Sequence, residues 1–465
     1  MFDAIDQKMS PSFRAAIEAL YVVMTQVVSA TKPDATTQVS KLPYYRETGG
    51  DFEYTPDGYT WTGEFGELLE VPDWHELAKT VAKRVVASEE AKRCAEELAL
   101  CLSHPTHTLE AVEAILRRAG YEELAAVAGD PQRLGHLFRS FILEATEGVV
   151  HSRGVAELGG VAVVLPALQL ELGDARVTLR RVTPNDLQKP RLATPFTPEH
   201  VLRRRPGAIV EVSTVGKRSH QEVQERIEQV VALLRLFRVG GVVELYGEIE
   251  SDSLALPCFG RAHPLAPRRP AESYIVRADD EDSLRCFIGN LSVALPRSFF
   301  FFPADLPEAD HRVFAWQRYC DALFQDAVAE RRIAHAVMGL EALLLKAEEH
   351  SGLAYTLAAR AAKMVGVLGK DAFQVRKAVR LGYAIRSDFV HGSRIRPKAE
   401  RTLRNQFGGI GRFTTLILDC LRLGIVAFCM SPAEKERVID LIDNALLCAK
   451  AHRELEALVA AVVRT

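Results

Sequence analysis

An arginine and a histidine five residues apart, Arg386 and His391, are the side chains of this sequence best suited to chemistry without a bound helper. An imidazole takes or gives a proton near neutral pH, and a guanidinium holds a phosphate or stabilises developing negative charge. Both lie in Gly382-Tyr383-Ala384-Ile385-Arg386-Ser387-Asp388-Phe389-Val390-His391-Gly392, the one place where the chain has this spacing. On a helix, five residues turn the two side chains about 140° apart, so they cannot stack. Ser387 and Asp388 precede His391 by four and three residues and share its face. Asp388 could therefore orient the imidazole or favour its charged form. Val375, Val379 and Gly382 form an inward stripe whose next step of four lands on Arg386. An arginine there is costly unless it is paired or faces a site. Gly392 is placed to end the helix and leave His391 at an open end.

The surrounding charge points the same way. Ser351 to Arg412 contains 13 Lys and Arg against 3 Asp and Glu, a net +10 in a chain whose total is -3. Such segregation fits a polyanion partner, nucleic acid above all, although a solvated basic helix face would look alike. The expected nucleic-acid contacts are Arg394, Arg396, Lys398, Arg401 and Arg404.

The elements that must position these residues follow from periodicity. From about Leu306 strand signals vanish and helical blocks follow at roughly 308–329, 331–349, 353–368, 372–391, 410–430 and 433–463. In the second, Ile333, Val337, Leu340 and Leu344 keep to one face. Upstream, Val155 to Val182, Ala208 to Val215 and Val242 to Ile249 have the β-branched alternation of strands. Ser219 and Glu222 form a capping box that opens a helix running to about Arg238 before Gly240-Gly241. Arg261 to Pro270 reads as an exposed basic loop. Leu77 to Leu102 and Thr108 to Ala128 read as helices, and 31–75 as irregular structure or short strands. The expected fold class is an α+β multidomain chain: a mainly helical region 1–150, a mixed α/β region 151–300 and an all-helical bundle 306–465.

The bulk properties narrow the class. A chain of 465 residues, 48% hydrophobic and 26% charged, is ordinary globular composition and excludes a mostly disordered or fibrous protein. Its 8 cysteines are scattered without a C-x-x-C pair, as in a reduced, cytoplasmic protein. The opening Met1-Phe2-Asp3-Ala4-Ile5-Asp6 is acidic where a secretory signal needs basic residues. The most apolar stretch, Phe413 to Met430, is broken by Asp419 and Arg422, so a core helix is expected and no membrane.

Three segments together resemble the Apea-like HEPN family (higher eukaryotes and prokaryotes nucleotide-binding domain). They are Gly339-Leu340-Glu341-Ala342-Leu343-Leu344, Leu357-Ala358-Ala359-Arg360-Ala361-Ala362 and Tyr383 to Gly392, the last resembling the family's R-x-x-x-x-H segment followed by Gly. The resemblance covers about residues 306–460. It implies a helical bundle that pairs as a homodimer, with two motifs at the interface. It also implies metal-independent RNA cleavage without a cofactor, often in prokaryotic phage defence or toxin systems, with transfer RNA among the targets. Arg386 would hold the phosphate, His391 would move protons, Asp388 would orient and Ser387 would hydrogen-bond. Glu341 (paired with Arg386 or Arg360, or else an ordinary helix-surface Glu), Arg360 and Tyr383 would support the site. The earlier regions would sense a trigger, phage-derived or other. The alternative is a non-catalytic HEPN protein that binds nucleic acid or a partner.

Other candidates are weaker. Cys94, Cys101, His104 and His107 have short ligand spacing, but Cys94 and Cys101 are seven apart, as core residues on one helix face would be. Gly240-Gly241 and Gly408-Gly409 lack the lysine and context of phosphate loops and read as turns. His151 and Arg153 read as a boundary turn, and Trp61 and Trp74 as packing.

Overall fold

The computed structural model describes residues 149–183, 207–216, 219–251, 259–262, 273–295, 310–324 and 328–463, four short strands between 39 and 72, and isolated positions elsewhere. The helices expected over 77–102 and 108–128, the Cys94, Cys101, His104 and His107 set, and Trp74 lie outside the described residues. Within 31–75, β1 (Val39–Tyr45) pairs antiparallel with β4 (Leu68–Pro72), and β2 (Phe52–Thr55) with β3 (Gly58–Trp61).

Polar and apolar residues alternate through Val150 to Arg180, and the chain folds there as β5 (Val150–Gly159), β6 (Val161–Val163), β7 (Ala167–Leu172) and β8 (Ala175–Arg180). Strands β5, β7 and β8 join β9 (Ala208–Gly216), β10 (Val243–Ser251) and β11 (Phe259–Ala262) in a six-stranded antiparallel sheet in the order β11-β10-β5-β9-β8-β7. β6 pairs in parallel with β12 (Tyr274–Val276). Two expectations change here. His151 and Arg153 are not a boundary turn; they are outward positions of β5, where His151 Nε2 lies 3.1 Å from Ser213 Oγ and Arg153 faces Glu211. Arg261 and Ala262 are not loop but strand, paired with Gly247 and Tyr246.

Helix α1 (Ser219–Phe237) joins β9 to β10, which run parallel to each other with antiparallel β5 between them. Its inward residues Val223, Ile227, Val230, Leu233 and Leu234 are fully buried beneath the sheet. Burying each such side chain is worth about 1.5–3 kcal/mol. Helix α2 (Glu281–Ala294) buries Leu284, Phe287, Ile288 and Leu291, an i, i+3, i+4, i+7 set.

The C-terminal region is helical: α3 (His311–Phe324), α4 (Ala329–Leu344), α5 (Leu353–Val367), α6 (Ala372–Val390), α7 (Pro397–Phe407), α8 (Ile410–Met430), α9 (Lys435–Leu447) and α10 (Ala449–Val463). Helix α7 was not expected, and the single helix expected over 433–463 is two, broken at Cys448, whose backbone is extended. Helix α8 is long and apolar enough to cross a membrane, yet it lies mostly buried among the other helices. Asp419 and Arg422, two of the three charges in it, pair at 2.6 Å. Helices α4, α6 and α8 meet at Gly382, where an added Cβ would stand 3.2 Å from Val337 and 3.4 Å from Ile417. That close approach fixes the helix carrying Arg386 and His391 against its neighbours.

One apolar core runs through the α/β and helical regions. The C-terminus of α1 is the junction. A helix end leaves four carbonyls without partners, and here side chains from both regions supply donors. Tyr274 of β12 donates to the Leu234 carbonyl at 2.6 Å and Tyr319 of α3 to that of Arg235 at 2.9 Å. Arg422 of α8 donates to Leu236 and Phe237 at 2.6 and 3.0 Å. Arg235 itself donates to the Val242 carbonyl and lies over the Phe324 ring at 4.5 Å, with burial lowering its pKa.

Candidate active site

Helix α6 begins with Asp371, whose carboxylate accepts the N–H groups of Phe373 and Gln374. It buries Val375, Ala378, Val379, Gly382 and Ile385. The inward stripe thus passes through Ile385 and leaves Arg386 at the core's edge, with 28% of its side chain exposed. Arg386 Nη2 lies 3.3 Å from Glu341 Oε2 on α4. Of the two partners open to Glu341, the structure selects Arg386. Burial pushes the Glu341 carboxyl up, and Arg386 pulls it partly back. Arg386 Nε is buried without a hydrogen-bond partner among the described residues. The Tyr383 ring, one turn earlier and half-buried, has its centroid 6.0 Å from the guanidinium carbon.

Helix α6 ends as Gly392 requires. At φ +70° this glycine takes the left-handed conformation that closes a helix. Its N–H donates to the Phe389 carbonyl at 2.9 Å, and Ser393 N–H donates to that of Asp388 at 2.8 Å, the pairing of a Schellman cap. His391 is the cap residue, exposed, and its ring has no hydrogen-bond partner among the described residues. Ser387 is half-buried; its carbonyl accepts the His391 N–H at 3.2 Å.

Asp388 does not orient the imidazole in this structure. Its carboxylate is buried and accepts Arg396 Nη2 at 2.7 Å. The cap turns the chain back on itself, so the residue eight positions later reaches Asp388, and His391 makes no hydrogen bond or ion pair with it. Asp388 and Arg396 therefore pin the turn 391–396 that presents His391 and Arg394. Arg360 is a packing residue of the fold rather than a partner of Glu341. It is buried, donates to both carboxylate oxygens of Glu349 and of Asp443 at 2.6–2.8 Å, and to the Leu344 carbonyl at 2.8 Å.

The remaining predicted contacts sit on one exposed strip. Arg394 lies in the turn, and Lys398, Arg401 and Arg404 lie on the outward face of α7, whose inward residues are Leu403 and Phe407. Arg396 keeps 77% of its side chain exposed despite its ion pair. Sequence reasoning missed Tyr355 on α5, an exposed aromatic with Arg380 and Arg376 4.2 and 6.0 Å from its ring centroid. Spacing alone could not find it, because the residues come from two helices. Among the described residues no three His, Cys, Asp or Glu side chains gather in a group that could hold a metal ion.

The fold defines a mixed α+β protein with a helical C-terminal region. No protein-family model, curated protein or solved structure matches the chain.

Proposed function

We propose that the chain is a metal-independent endoribonuclease of the HEPN type, cytoplasmic, acting in prokaryotic phage defence or as a toxin effector. Residues 306–465 are the nuclease bundle, and the regions before it sense a trigger or restrain it. The observation that carries this reading is the presentation of His391: an exposed imidazole without a partner among the described residues, at the capped end of α6, beside a strip of exposed cations.

RNA supplies its own nucleophile. A base takes the proton of a ribose 2′-hydroxyl, the 2′-oxygen bonds to phosphorus, and the bond to the 5′-oxygen breaks. The leaving oxygen receives a proton, giving a 2′,3′-cyclic phosphate and a 5′-hydroxyl. His391 serves the proton steps, and Arg386 binds the phosphate oxygens as charge builds on them. Asp388 contributes through Arg396, by fixing the turn that carries His391. The cations Arg394, Lys398, Arg401 and Arg404 hold the flanking phosphates.

The test uses the purified chain and His391→Ala with total RNA and transfer RNA in excess chelator. Fragments ending in 2′,3′-cyclic phosphate from the wild type alone are expected. Equal fragmentation by both proteins, or cleavage that appears only on adding magnesium, would overturn the reading. The ion pair between Arg386 and Glu341 favours a second reading, a non-catalytic nucleic-acid-binding protein, because that guanidinium is already neutralised. RNA binding by a wild type that never cleaves would select it.

A further inference from the structure

Where the α/β region meets the helical region, a cavity of about 700 Å³ opens between the end of α1, β12 and α2 on one side and α8 on the other. It lies at the far end of α6 from His391: Lys370, just before the helix, lines it, and 19 residues of helix span about 28 Å. It is therefore separate from the candidate active site.

Its chemistry has two halves. One wall is apolar and aromatic. Phe237 and Phe287 meet edge to face at 5.5 Å, and Tyr274, Leu416 and Leu423 continue the surface. The other half is cationic. Arg238, Lys370, Arg412 and Arg422 line the cavity against a single lining carboxylate, Asp419. Arg238 is matched by Asp280 behind it. Asp419 takes two cations at once, Lys370 at 2.9 Å and Arg422 at 2.6 Å. Arg412 is exposed and pairs with no described residue. By side-chain charge two positive charges are left over, one at Asp419 and one at Arg412, reduced by about half a charge by the α1 carbonyls that Arg422 caps.

The geometry points to a binding site for a phosphate monoester carrying a flat ring, of nucleoside 5′-monophosphate class. A monoester carries a charge of about -1.5 to -2 at neutral pH, which matches the surplus. A base lies against the Phe237 and Phe287 wall while Arg412 and Lys370 take the phosphate. The volume falls in the range of small-ligand sites, which favour the junctions between packed units. A phosphodiester, with one charge, leaves one cation unmatched.

The experiment is calorimetric titration of the full chain with AMP, GMP, CMP and UMP separately, and with inorganic phosphate and adenosine as half-ligands. At least one monophosphate is expected to bind with a Kd under about 1 mM, and about tenfold more tightly than phosphate or adenosine. Arg412→Ala, on an exposed side chain, should weaken that binding about tenfold, and Leu416→Trp should weaken it by intruding where the base lies. Failure of all four to bind, or equal binding by wild type and Arg412→Ala, would overturn the assignment. Neither readout depends on RNA cleavage.

Discussion

Arg386 and Glu341 face each other between α6 and α4, with Nη2 3.3 Å from Oε2 and no second ion pair to either side chain among the described residues. The carboxylate stands where an RNA phosphate oxygen would have to come to use that guanidinium. Glu341→Gln removes the competitor and keeps the shape. It should tighten RNA binding about fivefold, the equivalent of about 1 kcal/mol for a part-buried pair. Fluorescence anisotropy with a short RNA reads this, and unchanged or weaker binding by the variant would show that Glu341 positions Arg386 instead.

The same carboxyl sets a pH dependence. Burial raises its pKa, so the native state binds its proton more readily than the unfolded chain. Glu341 therefore lowers stability as pH rises from its ordinary value of 4.5 through the raised native value, and contributes a constant cost above it. In Glu341→Gln that portion of the decline should vanish. Denaturant midpoints from pH 4 to about 8 for both proteins measure it, and parallel curves would contradict it.

Arg360 resembled a site residue in sequence but is buried between Glu349 and Asp443. Arg360→Ala should cost about 1–3 kcal/mol, because it takes the donor from the buried Leu344 carbonyl and the partner from two part-exposed carboxylates. Hydrogen bonding to Arg360 holds the Glu349 carboxyl below its ordinary 4.5. That contribution is present above 4.5 and is lost as pH falls through the depressed native value, so the variant should lose stability less steeply in acid. RNA cleavage per folded molecule should survive; its complete loss in a folded variant would return Arg360 to the site.

Much of α6 was legible because its signals are local. Its apolar stripe and Gly392 placed the helix at 372–391, against an observed Ala372–Val390. The bounds of α1 were equally local. Helix α7 escaped because only Leu403 and Phe407 are buried in a charged segment. The Pro397 start and Gly408 end were its readable marks. The break at Cys448 carries no glycine or proline; its mark is a shift of phase, because on one continuous helix Ala451 and Leu455 would face away from Ile442 and Ala445. Partners were least legible. Asp388 finds Arg396 only because the cap reverses the chain, and Arg360 finds Asp443 from 83 residues away.

The exposed strip predicts how RNA binding responds to salt. Lys398, Arg401 and Arg404 stand on the outer face of α7 without ion pairs among the described residues. Their joint reversal to Glu should weaken binding at low salt and flatten the salt dependence by about one counterion per lost phosphate contact. A titration from 50 to about 300 mM salt decides it, and an unchanged slope would place the RNA elsewhere.

The last prediction concerns pairing. One chain offers one His391 and one Arg386, which helical geometry turns about 140° apart, so the phosphate holder and the proton carrier of one chain do not face the same point. The outward side of α6 runs through Phe373, Lys377, Arg380, Ala384 and Ser387 to His391, in steps of four and three. Ala384 at its middle lets a second helix approach closely, and Phe373 and Val390, 78% and 58% exposed, are apolar side chains left uncovered toward its two ends. A two-fold axis beside α6 would bury both and join two motifs in one cleft. Lys377 and Arg380 oppose their own copies there, so the dimer should be weak at low salt and strengthened by bound RNA. Light scattering at micromolar concentration, with and without a non-cleavable RNA, measures this. Mixing Arg386→Ala with His391→Ala chains tests whether the site is shared. Random exchange makes half the dimers mixed, each keeping one intact Arg and His pair across the axis, so about a quarter of wild-type cleavage should return. No recovery on mixing, or full activity from a monomer at nanomolar concentration, would leave each chain with a site of its own.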